Sequence, residues 1–173
     1  MEKIVFNSYD HIFWDFDGVI KESFDIKTIS FYEMFLPFGE KIASKVKNHH
    51  LENSGISRFK KIPLYLKWAG ANPDKQTEQE YLNDFKNRVL QNVIDCPWVK
   101  GSEFFLKQNP YKQSFHLITA TPQDEIEFIL LKLGLNANFL DCCGSPLSKN
   151  DAIREIILKR GMNRNKCLMI GDA

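Results

Sequence analysis

His11-Ile12-Phe13-Trp14-Asp15-Phe16-Asp17-Gly18-Val19-Ile20 is the stretch that decides how this chain folds. The run from Ile12 to Trp14, led in by His11, is apolar and favours a strand, and it passes directly into two carboxylates one residue apart and then a glycine. This predicts a buried strand ending in a charged loop. Binding sites in open α/β sheets gather at the carboxyl ends of strands, and Gly18 permits the sharp turn that a Cβ would hinder. Two acids in that place suit a hard divalent cation such as Mg²⁺, which takes oxygen ligands, commonly one or two carboxylates together with substrate phosphate. An Asp carboxylate can also act as a nucleophile and form an aspartyl-phosphate, while a second acid shuttles the proton. Asp and Gly are equally favoured in ordinary turns, so these residues taken alone also admit a plain turn.

Working outward, composition bounds the answer. The chain has 173 residues, of which 43% are hydrophobic and 26% charged, which is ordinary globular material with room for one domain and a smaller inserted one. A net charge of +1 gives no broad surface for nucleic acid or membrane, so any anion site is local. No apolar run approaches the roughly 20 residues that span a bilayer. Cys96, Cys142, Cys143 and Cys167 show no Cys-x-x-Cys spacing, and Met1-Glu2-Lys3-Ile4 opens no signal-peptide pattern. Free thiols in a reducing cytoplasm are expected.

Residues 1–10 read as a polar lead-in. After Ile20 the pattern turns helical: Phe24 to Leu36, closed by Pro37 and Gly39, then Glu40 to Leu51, Ser57 to Trp68 interrupted by Pro63, and Thr77 to Val93. Beyond Cys96-Pro97-Trp98 the chain resumes with a short helix over Gly101 to Lys107 and a strand over Phe115 to Ile118 that ends in Thr119-Ala120-Thr121-Pro122. A helix from Gln123 to Leu133 stops at Gly134. A weak strand near Phe139 to Cys142, the loop Gly144-Ser145-Pro146, a helix from Lys149 to Lys159 and a last strand Cys167 to Ile170 follow. Alternating strands and helices predict an α/β fold with a doubly wound parallel sheet, Rossmann-like, from residues 1–20 and 97–173, with residues 21–96 inserted as a helical domain.

Thr119 ends its strand as Asp15 ends the first, so its hydroxyl and nearby backbone N–H groups such as that of Ala120 face the same crevice and suit phosphate oxygens; capping of the following helix is the alternative. Phe13-Trp14-Asp15-Phe16-Asp17-Gly18 resembles the first motif of the haloacid dehalogenase-like (HAD) superfamily, Asp-x-Asp-Gly after a hydrophobic strand. The resemblance implies Asp15 as nucleophile and Asp17 as general acid/base; members that cleave carbon–halogen bonds lack the second acid, so phosphoryl transfer is implied. Thr119 matches the family's second motif. Lys149, near Pro146 and ahead of a helix, resembles the third, a Lys that neutralises nucleophile and phosphoryl group. Cys167-Leu168-Met169-Ile170-Gly171-Asp172 resembles the fourth, whose Asp helps hold Mg²⁺. The implied metal set is Asp15, Asp17 and Asp172. The family carries a further acid, strand and helix beyond this point, whereas the sequence stops at Ala173, which leads us to expect an open sheet edge prone to association.

Within the insertion, Asn53-Ser54-Gly55-Ile56-Ser57-Arg58-Phe59-Lys60-Lys61 combines a glycine, two hydroxyls and three cations. It reads either as a solvated loop between helices or as a cap loop that brings Arg58 and Lys60 to a substrate phosphate. Relatives with such a helical cap close it over the site. His49-His50 points to different faces of a helix and is read as incidental. The resulting expectation is a Mg²⁺-dependent phosphatase acting on a small phosphorylated metabolite, a sugar phosphate being one. Catalytic residues are Asp15, Asp17, Thr119 and Lys149, and substrate contacts are Ala120, Arg58 and Lys60. A phosphomutase on the same core and a non-catalytic phosphate-binding module are the alternatives. A receiver-like domain is disfavoured by the long insertion.

Overall fold

The computed structural model describes residues 6–172. The described part of the expected lead-in is a single 3-10 turn, Phe6–Ser8; residues 1–5, and with them the opening tetrapeptide, lie outside the described residues. The chain divides into two compact units, one containing Pro97–Asp172 with the segment up to Lys21, the other Glu22–Cys96.

The first unit is built on four strands: β1 His11–Trp14, β2 Ser114–Pro122, β3 Asp141–Ser145 and β4 Cys167–Ile170. They form one sheet in the order β3-β2-β1-β4, all pairings parallel. The apolar stretch of β1 is thus a central strand, and its three residues Ile12, Phe13 and Trp14 are buried because both faces of a parallel sheet are covered. Side chains alternate across the sheet. On one face Phe13 and Ile118 pack with Ala152 and Ile156 of α7 (Lys149–Arg160), with Cys143 and Cys167 at the margin. On the other, Trp14 and Phe115 meet edge to face at 5.7 Å between ring centres, and Phe105 of α5 (Ser102–Gln108) lies against both. Helix α6 (Gln123–Leu133) buries Ile126, Ile129 and Leu130. The four thiols are free.

Two departures from the sequence reading have local causes. Strand β3 begins at Asp141 and runs through Gly144 and Ser145, where a loop was expected. Gly144 permits this: a Cβ there would fall 2.6 Å from the Thr121 carbonyl oxygen and 2.8 Å from the Gln123 backbone. The absent side chain lets the end of β3 lie against the end of β2. In addition, β2 continues to Pro122, past the expected stop at Ile118, with a register irregularity against β3 between Ile118 and Pro122.

The second unit has four α-helices, α1 Phe24–Phe35, α2 Glu40–Glu52, α3 Arg58–Trp68 and α4 Lys75–Asp95, and a 3-10 turn Leu36–Phe38, without a strand among the described residues. Its centre is aromatic: Phe31 lies 4.2 Å from Phe85 and meets Tyr65 perpendicularly at 5.4 Å. Pro63 was expected to interrupt α3, yet the helix runs through it. A proline costs a helix one backbone hydrogen bond, and here that loss is outweighed by burial of Lys61, Ile62, Tyr65 and Leu66 along one face. The vicinal histidines do face different neighbours: His49 hydrogen-bonds the Tyr65 hydroxyl at 3.0 Å, while buried His50 takes the Lys61 ammonium at 2.8 Å. Among the described residues no helix is long and apolar enough to cross a membrane.

Candidate active site

Parallel pairing brings the carboxyl ends of β1, β2, β3 and β4 to the same edge of the sheet, and the polar residues of the first unit's motifs are found there. The chain leaving β1 turns at once, with Ile20 N–H donating to the Phe16 carbonyl at 2.8 Å and Gly18 N–H to the Lys21 carbonyl at 2.8 Å. Gly18 takes φ +71°, the left-handed region where a side chain is strained. Its missing Cβ has a second use, because the Asp172 Oδ2 atom occupies the place that Cβ would take. Glycine thereby allows the carboxylate that follows β4 to lie against the loop that follows β1.

Asp15 is 4% exposed. Its Oδ1 accepts the Phe16 N–H at 2.8 Å, and its Oδ2 accepts from the Lys149 ammonium. Its own N–H reaches back to the Ile170 carbonyl of β4 at 2.9 Å, fixing the backbone from which the side chain projects. Burial raises the Asp15 pKa above the ordinary carboxylate value; Lys149 and the Phe16 N–H oppose this, and the neighbouring Asp17 charge adds to it. Lys149 opens α7, with Ser148 as N-cap accepting the Asp151 N–H at 3.2 Å, so the ammonium and the helix N-terminus stand at the same end of the sheet.

Thr119 is 1% exposed near the end of β2, and Ala120 beside it is partly buried. The Thr119 hydroxyl accepts the Thr121 N–H at 3.2 Å and donates to the Thr121 hydroxyl at 3.3 Å; the Thr121 hydroxyl donates to Asp17 Oδ2 at 3.4 Å. Thr121 was not singled out from the sequence. Its signal was there, since residues two apart on a strand share a face and Thr119 had been placed on it. Gln123 was also missed: its side chain accepts the Gly144 N–H at 2.6 Å and donates to the Cys142 carbonyl at 3.0 Å, tying β3 to the start of α6.

The structure therefore brings together Asp15, Lys149, the Asp17–Thr121–Thr119 chain and the Gly18–Asp172 contact at one edge of the sheet. Among the described residues, no three His, Cys, Asp or Glu side chains are grouped closely enough to hold a metal ion. The side chains of Asp15, Asp17 and Asp172 are thus not gathered as a triad, and Asp17 Oδ2 is engaged with Thr121. Asp15 and Asp172, which follow the paired strands β1 and β4, remain as hard oxygen donors, a number Mg²⁺ accepts when water and phosphate fill its other positions. Arg58 and Lys60 belong to the helical unit. The Arg58 guanidinium lies 5.4 Å from the Phe85 ring centre and 5.8 Å from that of Phe59, and Lys60 is exposed in the first turn of α3.

No protein-family model matches the chain, and no curated protein matches it. Solved structures do. A β-phosphoglucomutase from Clostridium difficile superposes with a TM-score of 0.75 at 18% identity, over 95% of this chain and 77% of that one. A structure from Haemophilus somnus 129PT, described as a predicted phosphoglycolate phosphatase, gives 0.71 at 15% identity over 95% and 77%. One from Clostridium acetobutylicum, described as a predicted phosphatase, gives 0.68 at 21% identity over 95% and 76%. At such identities the likeness speaks for architecture: this chain has the fold of the haloacid dehalogenase-like hydrolases.

Proposed function

We propose that the chain is a Mg²⁺-dependent phosphoric monoester hydrolase that acts on a small phosphorylated metabolite through an aspartyl-phosphate on Asp15. The observation that carries this reading is the state of Asp15, a buried carboxylate at the end of a central strand, held by Lys149 and by its neighbour's N–H. An Asp Oδ attacks phosphorus, and Asp17 gives its proton to the departing ester oxygen. Asp17 then takes a proton from the water that attacks the phospho-enzyme, and the bond from phosphorus to Asp15 breaks. The Thr119 hydroxyl, the Ala120 N–H and Lys149 hold the phosphoryl oxygens, with Lys149 offsetting the charge that builds on them. Asp15 and Asp172 would hold the metal ion, which supplies positive charge against the phosphoryl oxygens when bound. A reducing cytoplasm fits the four free thiols.

Arg58 and Lys60 are part of this proposal as cations for the substrate. Alanine at either position should raise KM severalfold while leaving kcat within about twofold, the mark of a group that binds ground and transition states alike. The β-phosphoglucomutase likeness supports a second reading, in which the phospho-enzyme discharges to a sugar hydroxyl instead of water. The deciding experiment is turnover of a panel of phosphate esters with Mg²⁺ by the full chain and by Asp15→Asn. We expect at least about a thousandfold loss in the variant, as for removal of other catalytic nucleophiles. Equal rates in the two proteins would overturn the assignment, and transfer to a sugar instead of phosphate release would select the mutase.

A further inference from the structure

The polarity of the hydroxyl chain at the end of β2 is set by its last member. Oδ2 of Asp17 accepts whether the carboxyl is ionised or carries its proton on Oδ1, so the contact between Thr121 and Asp17 Oδ2 uses the one Thr121 proton. The Thr121 oxygen must then accept from Thr119, and the Thr119 oxygen accepts the Thr121 N–H. Both hydroxyls in this sequence donate in the direction of Asp17. Both threonines are buried, at 1% and 5% exposure, so the arrangement is held by the strand and not by chance encounters at a surface. The two hydroxyl contacts, 3.3 and 3.4 Å, are long for bonds of this type, which leaves room for them to tighten on substrate arrival.

We propose that Thr121 is a positioning residue that aims Asp17 at the leaving ester oxygen and couples that aim to capture of the phosphoryl group by Thr119. The inference rests on the reading of Asp17 as the proton donor. When a phosphoryl oxygen accepts from the Thr119 hydroxyl, Thr121 loses its incoming bond but keeps its own donation to Oδ2, and with it the orientation of the Asp17 carboxyl. In the step itself, an Asp15 oxygen forms a bond to phosphorus and the bond from phosphorus to the ester oxygen breaks. The electron pair leaves on that oxygen, and the proton passes to it from Asp17. Thr121 touches none of the reacting atoms and acts only through the carboxyl it orients.

A residue that merely fills the strand would, when changed, slow every ester alike. A residue that aims the acid matters only where the leaving group needs a proton. The test therefore compares kcat/KM with Mg²⁺ for p-nitrophenyl phosphate, whose leaving oxygen departs unprotonated, and glycerol phosphate, whose leaving oxygen must be protonated. Thr121→Val keeps the branched shape and removes the hydroxyl. It should lower the glycerol phosphate rate by roughly 10- to 100-fold and the aryl rate by less than about threefold, and Thr121→Ser should restore the former. Thr121→Ala, which adds no bulk, gives the same comparison if thermal melting shows the valine variant to be poorly folded. Equal losses on both esters, or no rescue by serine, would overturn the role of Thr121 while leaving the hydrolase reading intact. Absence of turnover by the parent chain on either ester, or full activity in Asp15→Asn, would overturn both.

Discussion

Helix α7 places a cation on an aspartate at each of its ends, and the two pairs behave in opposite ways. At its first residue Lys149 reaches Asp15; at its last, Arg160 reaches Asp141 at the start of β3. Burial pushes the pKa of both carboxyls upward. Asp141 nevertheless ends below the ordinary carboxylate value, because Arg160 grips it with two bonds of 2.7 and 2.9 Å and His116 adds a third at 2.6 Å. Asp15 has a single ammonium and one N–H, and burial prevails. A planar guanidinium matches a carboxylate in a way that an ammonium does not. The contrast separates a charge fully matched by its partners from one kept incompletely compensated, which is the condition that the proposed role of Asp15 requires.

The strongest way to break this comparison is Lys149→Met. It should cost about 100- to 1,000-fold in kcat, the usual effect of removing preorganised charge from a developing one. It also removes the group that holds Asp15 down. On the proposed reading of Asp15 as a nucleophile, which must be ionised, the acid-side loss of activity, already expected above the ordinary carboxylate range, should move to still higher pH in a pH–rate profile. An unmoved profile would deny Lys149 its electrostatic role.

At the other end, His116→Leu should destabilise the fold by about 1–3 kcal/mol in chemical denaturation, the range for breaking a buried hydrogen-bond network, with turnover unchanged within about twofold. The smallest expected effect is in its pH dependence. Burial lowers the His116 pKa, helped by His11 and Arg160 and opposed by the bond to Asp141. The unfolded chain therefore binds the proton first, near the ordinary value of 6.5, and stability that is full above that value declines as the pH falls below it. Asp141, whose pKa is lowered, gives up its contribution only in stronger acid, below 3.8. The slope of melting temperature against pH between about 6.5 and 5 should then flatten in His116→Leu, and an unchanged slope would assign it to another group.

The sequence made the site end of the sheet more legible than the other. Asp15, Asp17, Thr119, Lys149 and Asp172 each follow or adjoin a strand or helix boundary that local pattern announces, and the bounds of α6 and β4 agree with that pattern. The Arg160–Asp141–His116 chain was invisible because it depends on which residue of β3 stands beside which residue of β2. His116 pairs with Asp141 in the observed register, a non-local fact that no run of residues encodes. The passage of α3 through Pro63 was missed for the opposite reason: a local rule was outweighed by burial on the face of the helix. Thr121 needed only the alternation of a strand, extended two residues further than the apolar run suggested.

The position of β1 has a consequence for synthesis on the ribosome. It emerges before both strands it pairs with, residues 114–117 and 167–170, so this apolar strand lacks those partners while the whole helical unit is being made. The Asp15 backbone bond to Ile170 can close only after β4 has been made. A nascent chain released before that point would carry Ile12, Phe13 and Trp14 without their full cover, a target for chaperones, and Asp15 would lack the strand that holds its backbone in place.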